Sequence, residues 1–215
     1  MFKNREDAAK KLALKIKRTL REKDYQVVGI VRGGIILAKI IGDYLNTSLH
    51  SLVIRKIGAP YNREFAIGAV GLAAGVPVGE KIVYWDEDLI ERLNIGSSYR
   101  LSALKEKTRE VERLEKIFSF NRKGLSFRDK RVMLVDDGVA TGTSVLCAQK
   151  ILKKQRPKEL ILATPVISKE SFEHIKKYFD NVIALEKPLN FSAVGQFYKD
   201  FPQVEDKEVV ALMSS

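Results

Sequence analysis

Between Asn4 and Leu20 the apolar side chains Ala9, Leu12, Ala13, Ile16 and Leu20 recur at helical intervals, which predicts an amphipathic helix with Asn4 as its N-cap. The pattern then changes. Val27-Val28-Gly29-Ile30-Val31 is an unbroken apolar run that stops at Arg32-Gly33-Gly34, after which Leu37, Ile40, Ile41, Tyr44 and Leu45 return at helical spacing, giving strand, glycine turn and helix. A second run, Leu52-Val53-Ile54, ends at Arg55-Lys56, and from Gly58 to Gly79 the chain is rich in Gly, Ala and Pro without a sustained period, which predicts loops and short strands. From Ser97 to Phe120 charge dominates and Leu101, Leu104, Val111, Leu114 and Phe118 fall on one helical stripe, so a long, mostly exposed helix is expected. The apolar pattern resumes at Val132-Met133-Leu134-Val135, runs into Asp136 to Ser144, and continues as a helix from Val145 to Lys154. Two further runs, Leu160 to Ala163 and Val182 to Leu185, flank a helix near Ser168 to Tyr178.

Strands that are apolar throughout, instead of alternating, are covered on both faces, and their interleaving with helices describes an α/β fold with a doubly wound, mostly parallel sheet. A length of 215 residues suits one such domain over 1–215, with an irregular and helical insertion at about 58–125.

Composition narrows the setting more than the chemistry. With 45% hydrophobic and 30% charged residues and no apolar run near the ~20 residues a membrane helix needs, no membrane span is predicted. Met1 to Asp7 turns acidic and helical without a hydrophobic signal core, and the single Cys147 has no internal disulfide partner, so a reducing cytoplasm is the expected location. The net charge of +11 fits a polyanionic small molecule, a nucleic-acid surface or a solvated Lys-rich exterior; because the lysines are scattered, nucleic acid is left open but not favoured.

Ligands of open parallel sheets bind beyond the carboxyl ends of the strands, and three unusual segments fall there: Arg32-Gly33-Gly34, Arg55-Lys56 and Asp136 to Ser144. In the last, Gly138 and Gly142 permit a tight backbone turn, while Thr141, Thr143, Ser144 and backbone N–H groups converge at the start of a helix, which makes an anion site. Asp136 and Asp137 are wrong for phosphate but right for vicinal sugar hydroxyls, and they suit Mg²⁺ held through water. The segment as a whole suits a ribose 5-phosphate. Strand-Asp-turn-helix also arises where an aspartate merely caps a helix, but the Gly and Thr spacing favours the functional reading.

Val132-Met133-Leu134-Val135-Asp136-Asp137-Gly138-Val139-Ala140-Thr141-Gly142-Thr143-Ser144 resembles the 5-phosphoribosyl 1-pyrophosphate (PRPP) motif of the type I phosphoribosyltransferase family. The resemblance implies that Asp136 and Asp137 hold the ribose hydroxyls and that Ala140 to Ser144, with Gly138 and Val139 forming the turn, wrap the 5-phosphate. Gly138 departs from the pattern, since the family usually carries an apolar residue there. Val31-Arg32-Gly33-Gly34 is similar to the family's pyrophosphate loop, which implies a cis peptide between Val31 and Arg32 and backbone contacts to the leaving group. Arg55 and Lys56 then fall where the family places basic residues near pyrophosphate.

The stretch from Arg55 to Ala69 resembles a little-characterised branch, and the tail falls where the family has a small hood, here about 187–215. Phe191, Val194, Phe197 and Tyr198 there either enclose an aromatic base or simply pack as core. The resemblance covers about Tyr25 to Phe201, and only the two phosphate loops are diagnostic.

The implied activity is Mg²⁺-dependent transfer of phosphoribosyl from PRPP to a base or amine with release of pyrophosphate, in a homodimer by family habit. Arg32, with Arg55 or Lys56, would stabilise the departing charge while a cover drawn from 58–97 excludes water. Ala140 stands where the 6-oxopurine branch has an aspartate, which argues against hypoxanthine, guanine or xanthine as acceptor. The alternatives are a PRPP- or nucleotide-sensing regulator of nucleic acid or a protein partner, and a hydrolase using the same cradle. His50, His174 and Cys147 form no zinc or Cys-His pattern, Asp86-Glu87-Asp88 after Trp85 reads as an acidic turn before a metal cluster, and the cradle lacks the Gly-Lys-Ser/Thr ending of a P-loop.

Overall fold

Among the described residues, seven strands form one sheet in the order β4-β3-β2-β1-β5-β6-β7. They are β1 (Tyr25–Val31), β2 (Leu49–Ala59), β3 (Asn62–Leu72), β4 (Lys81–Trp85), β5 (Arg131–Val135), β6 (Glu159–Val166) and β7 (Asn181–Glu186). The computed structural model describes residues 1–21, 24–73, 80–118 and 126–214, with Glu64 described by its backbone alone. Strands β2, β1, β5, β6 and β7 run parallel, and β3 and β4 extend the β2 edge antiparallel. The mostly parallel, doubly wound α/β sheet expected from the continuous apolar runs is therefore present.

Residues alternate between the two faces, and each face carries its own core. Val27, Val31, Val53, Met133, Val135 and Ile161 pack against α1 (Arg5–Thr19), α2 (Gly33–Leu45), α4 (Ser97–Phe118) and α7 (Asp206–Ser214). Val28, Ile30, Leu52, Val132, Leu134 and Leu160 pack against α5 (Thr143–Lys154) and α6 (Lys169–Ile175). Full burial of each such aliphatic side chain contributes about 1.5–3 kcal/mol, so this two-sided core dominates the stabilisation. The sequence of α1 agrees with its role: Asn4 accepts from the N–H of Asp7, and Ala9, Leu12, Ala13 and Ile16 are buried along one stripe.

Two regions differ from the sequence reading. The stretch from Gly58 to Gly79, read as loops and short strands, holds the eleven-residue strand β3 up to Leu72; residues 74–79 lie outside the described ones. Glycines made the pattern look irregular, yet they serve close packing: a β-carbon at Gly68 would meet Tyr84 O and Trp85 Cε3, each at 2.6 Å, and one at Gly71 would meet Ile54 Cδ1 at 2.5 Å. The insertion at 58–125 is likewise ordered where described, as the rest of the β2–β3 hairpin, β4, α3 (Glu87–Arg92) and α4. The long helix is α4, its charged face outward and Val111, Leu114 and Phe118 buried; the predicted end at Phe120 lies outside the described residues. Asp86 caps α3 through the N–H of Leu89, so Asp86-Glu87-Asp88 is an acidic helix start.

Candidate functional site

The direction of winding reverses between β1 and β5. β1 leads through α2 to β2 on one side, and β5 leads through α5 to β6 on the other, so the carboxyl ends of two adjacent parallel strands open a crevice. Arg32-Gly33-Gly34 leaves one end and Asp136-Asp137 the other. The peptide between Val31 and Arg32 is cis, as the resemblance implied. A β-carbon on Gly33 would stand 1.9 Å from Asp137 Oδ2, and one on Gly34 would stand 2.7 Å from Val135 O and 3.1 Å from Asp136 Oδ1. No side chain fits at either position, so the two glycines are what lets the carboxylates lie directly on the first loop.

Both carboxylates are half-buried and each has one oxygen engaged. Asp136 Oδ1 accepts the N–H of Asp137 at 3.0 Å, and Asp137 Oδ2 accepts Arg5 Nε at 2.8 Å. Tyr198 donates its hydroxyl to the main-chain carbonyl of Asp137 at 2.6 Å. Burial, and then the adjacent Asp137 charge, push the Asp136 carboxyl above its ordinary range, against the opposing influence of Lys56. Burial raises Asp137 as well, with the Arg5 guanidinium pulling the other way. Two ionised carboxylates in such surroundings favour a cation, and the remaining oxygens, Asp136 Oδ2 and Asp137 Oδ1, are the hard donors Mg²⁺ takes directly or through water. The pair therefore fits Mg²⁺, although among the described residues there is no cluster of three or more His, Cys, Asp or Glu that could hold a metal on its own.

The rest of the turn is braced from three sides. Gly142 adopts φ +80°, which glycine alone takes without strain, and places Thr143 and Ser144 in the first turn of α5, whose N–H groups have no acceptor within the helix. Thr141 and Thr143 hydroxyls approach to 3.3 Å. Below, Val139 N–H donates to Val166 O at 2.9 Å and Ser168 N–H donates to Val139 O at 3.0 Å, while the hydroxyls of Ser168 and Ser171 both donate to Ala140 O. Above, Val194 sits on Gly138 so closely that a β-carbon there would be 2.3 Å from Val194 Cγ1. This explains the departure at Gly138: the tail fills the space that an apolar side chain would take.

Beside the carboxylates lies a cavity of about 430 Å³ lined by Arg5, Arg32, Gly33, Arg55 and the tail residues Phe201 to Val204. Each of its arginines faces a carboxylate: Arg5 with Asp137 at 2.8 Å, Arg32 with Asp206 at 3.6 Å, and Arg55 with Glu110 at 2.6 Å. Arg55 also donates to Ile54 O at 3.0 Å, and burial lowers its pKa. Lys56 is exposed and does not line the cavity, but its charge reaches both aspartates. The crevice thus brings together Arg32, Gly33, Gly34, Arg55, Asp136 and Asp137, with the turn from Gly138 to Ser144 beside them.

Three residues of the site escaped the sequence reading, Arg5, Ser168 and Ser171, and so did the contact that the Tyr198 hydroxyl makes with the turn. Arg5 had a signal, since it stands on the Ala9–Leu12–Ile16 stripe of α1, where a charge has no place in a simple core. The tail aromatics pack on one another and on Phe2, with Phe191 and Phe197 4.8 Å apart and Tyr198 and Phe201 4.6 Å apart between ring centroids, which is the core-packing alternative. Cys147 is buried, its thiol pushed up to about 12, and belongs to the core.

A family model described as phosphoribosyl transferase domain matches residues 2–202, a span that includes both loops and their braces. The chain belongs to the phosphoribosyl transferase domain family. Two Mycobacterium tuberculosis proteins, from strains CDC 1551/Oshkosh and H37Rv and provisionally named phosphoribosyl transferases, are each 30% identical to it over 213 residues. The alignment takes in 99% of this chain and 46% of each relative, so the chain spans about half the length of the curated relatives it matches. Among solved structures, TT1426 from Thermus thermophilus is 33% identical, with a TM-score of 0.73, over 99% of this chain and 97% of that one. APRTase from Giardia lamblia, solved with 9-deazaadenine, shares the fold at 13% identity and a TM-score of 0.50, over 86% and 80% of the two chains.

Proposed function

We propose that this phosphoribosyl transferase domain binds PRPP with Mg²⁺ and transfers its phosphoribosyl group to a nitrogenous base or amine, releasing pyrophosphate. The observation that carries the reading is the contact between Asp136-Asp137 and Gly33-Gly34, which sets two adjacent carboxylates against an arginine-lined cavity and beside a glycine and hydroxyl turn at a helix start.

In this reading Thr141, Thr143, Ser144 and the first-turn N–H groups of α5 take the 5-phosphate, with Gly138 to Ala140 shaping the turn. Asp136 and Asp137 accept from the ribose hydroxyls, and their remaining oxygens hold Mg²⁺, which when bound screens the pyrophosphate charge. As the glycosidic bond breaks, positive charge grows on the ribose ring and negative charge on the leaving group. Arg32, Arg55 and the N–H groups of Gly33 and Gly34 stabilise the latter, and Lys56 adds positive field from outside the cavity. The half-buried carboxylates stabilise the former, and the chain supplies no nucleophile. Ala140 offers no carboxylate to exchange a proton with a 6-oxopurine, so that acceptor class is disfavoured. The reading places the protein in the cytoplasm as a homodimer. No helix among the described residues is long and apolar enough to cross a membrane.

The test is to incubate the protein with PRPP, Mg²⁺ and a panel of bases and small amines and to follow pyrophosphate. Release that depends on one acceptor is expected, and Asp137→Asn should reduce it by about 100-fold or more. Tight PRPP binding without release from any partner would move the assignment to a sensing protein, and full activity in Asp137→Asn would remove the sugar-holding role.

A further inference from the structure

The guanidinium of Arg5 is the only charged side chain among the described residues whose parent residue falls within the buried class, at 8% exposure, and it meets three parts of the molecule at once. Its Nε donates to Asp137 Oδ2 at 2.8 Å, its Nη1 donates to the carbonyl of Pro202 at 2.7 Å, and its Cζ lies over the ring of Phe201, 3.7 Å from the ring centroid. Arginine has five N–H donors in a fixed fork, and these bonds use two, on a side chain that also lines the arginine cavity with Arg32 and Arg55. Sequestering a charge costs several kcal/mol per ion in real proteins, and helix α1 has an apolar stripe that an aliphatic residue at this position would continue. The chain instead spends that stability on joining one sugar-site carboxylate to one stretch of tail.

We propose that Arg5 is a positioning residue of the ribose site: it fixes the Asp137 carboxylate against Gly33 and, through Pro202 and Phe201, ties the cavity-lining tail to that same carboxylate. This rests on the PRPP reading above and adds to it a residue from the first helix. The planar fork is required, because a lysine reaches Asp137 as a point charge but does not also stack on Phe201 and bond Pro202 in fixed register. Asp137 and residues 201–204 consequently move as one unit, and the sugar is held only when the tail is seated.

The test measures binding of ribose 5-phosphate and of PRPP by calorimetry with Mg²⁺ in the wild type, Arg5→Lys and Arg5→Ala, with melting temperature followed in parallel. A supporting residue of this kind costs about 10–100-fold when removed. Arg5→Ala is expected to weaken ribose 5-phosphate binding by that factor, Arg5→Lys to recover only part of it, and millimolar guanidinium ion, but not ammonium ion, to restore binding in Arg5→Ala. Should Arg5→Ala fail to fold, Arg5→Lys alone decides, since wild-type affinity there overturns the proposal. Unchanged affinity in Arg5→Ala, or a loss that guanidinium does not restore, also overturns it. If the wild type itself binds neither ligand, the PRPP reading fails first, and that result is separate from an Arg5 variant that matches a binding-competent wild type.

Discussion

The seating of the tail on the turn from Gly138 to Ser144 is open to a double-mutant cycle at Gly138 and Val194. A β-carbon at residue 138 would stand 2.3 Å from Val194 Cγ1, 2.9 Å from Cγ2 and 3.1 Å from Cβ. Valine has few rotamers to retreat into, so Gly138→Ala forces the turn or the tail to move. Overpacking of this kind costs about 1–3 kcal/mol, and about 2 kcal/mol is expected for two contacts below 3 Å. In a chain of this size each kcal/mol moves Tm by about 2–4 °C, which sets the loss near 4–8 °C. Val194→Ala alone removes two half-buried methyl groups and costs about 1 kcal/mol. In the double variant both offending methyl groups are gone and only the 3.1 Å approach to Cβ remains. Its stability should therefore match Val194→Ala alone, a coupling of about 2 kcal/mol, well outside the ~0.3–0.5 kcal/mol scatter of independent sites. Urea unfolding of the four proteins, read by circular dichroism, measures it. Additive losses would mean that the tail does not rest on this turn in solution.

Asp136→Asn should unfold at a higher temperature than the wild type at pH 8 while losing ligand binding. Because burial and Asp137 raise the folded pKa of Asp136 above the ordinary carboxylate value of 3.8, ionisation disfavours the fold, and stability is lost as pH rises from the unfolded pKa through the folded one. Each unit is worth about 1.4 kcal/mol before discounting for partial exposure, so a Tm gain of a few degrees at pH 8 that fades by pH 4 is expected in paired thermal melts, and a loss at pH 8 would contradict it. Asp206→Asn should let inorganic pyrophosphate bind about 1.5–5-fold more tightly in calorimetry, since it removes the carboxylate 3.6 Å from Arg32, an exposed-type pair worth about 0.2–1 kcal/mol; unaltered affinity would mean that Asp206 does not compete for Arg32.

The legible parts of the sequence were those in which one physical constraint acts locally. β1, β5 and β6 are buried on both faces, so their unbroken apolar runs name both the element and the parallel sheet. The turn from Asp136 to Ser144 is equally local, because Gly142, the hydroxyls and the helix start are contiguous. β3 was obscured because Gly68 and Gly71 answer to Trp85 and Ile54, residues remote in sequence, and a glycine chosen for a neighbour's bulk looks like one chosen for a turn. The roles of Ser168, Ser171 and the Tyr198 hydroxyl were hidden for a related reason: each donates to a main-chain carbonyl of the turn, at Asp137 or Ala140, and a carbonyl leaves no trace in the sequence.

Local pairing also limits what the net charge of +11 says about the cavity. Charge counting treats every arginine as a free attractor, yet in the cavity Arg5, Arg32 and Arg55 are held by Asp137, Asp206 and Glu110. Three unpaired guanidinium groups in one crevice would repel one another and lose hydration without compensation, so a pocket assembled before its ligand arrives needs internal counter-charges. Under the proposed function, binding of a polyanion would exchange one set of carboxylates for another set of oxygens, and its net gain would be the difference between the two. A site built in this way selects for the geometry of its ligand, because an anion that cannot reach several of the arginines together gains less than the pairs it disrupts.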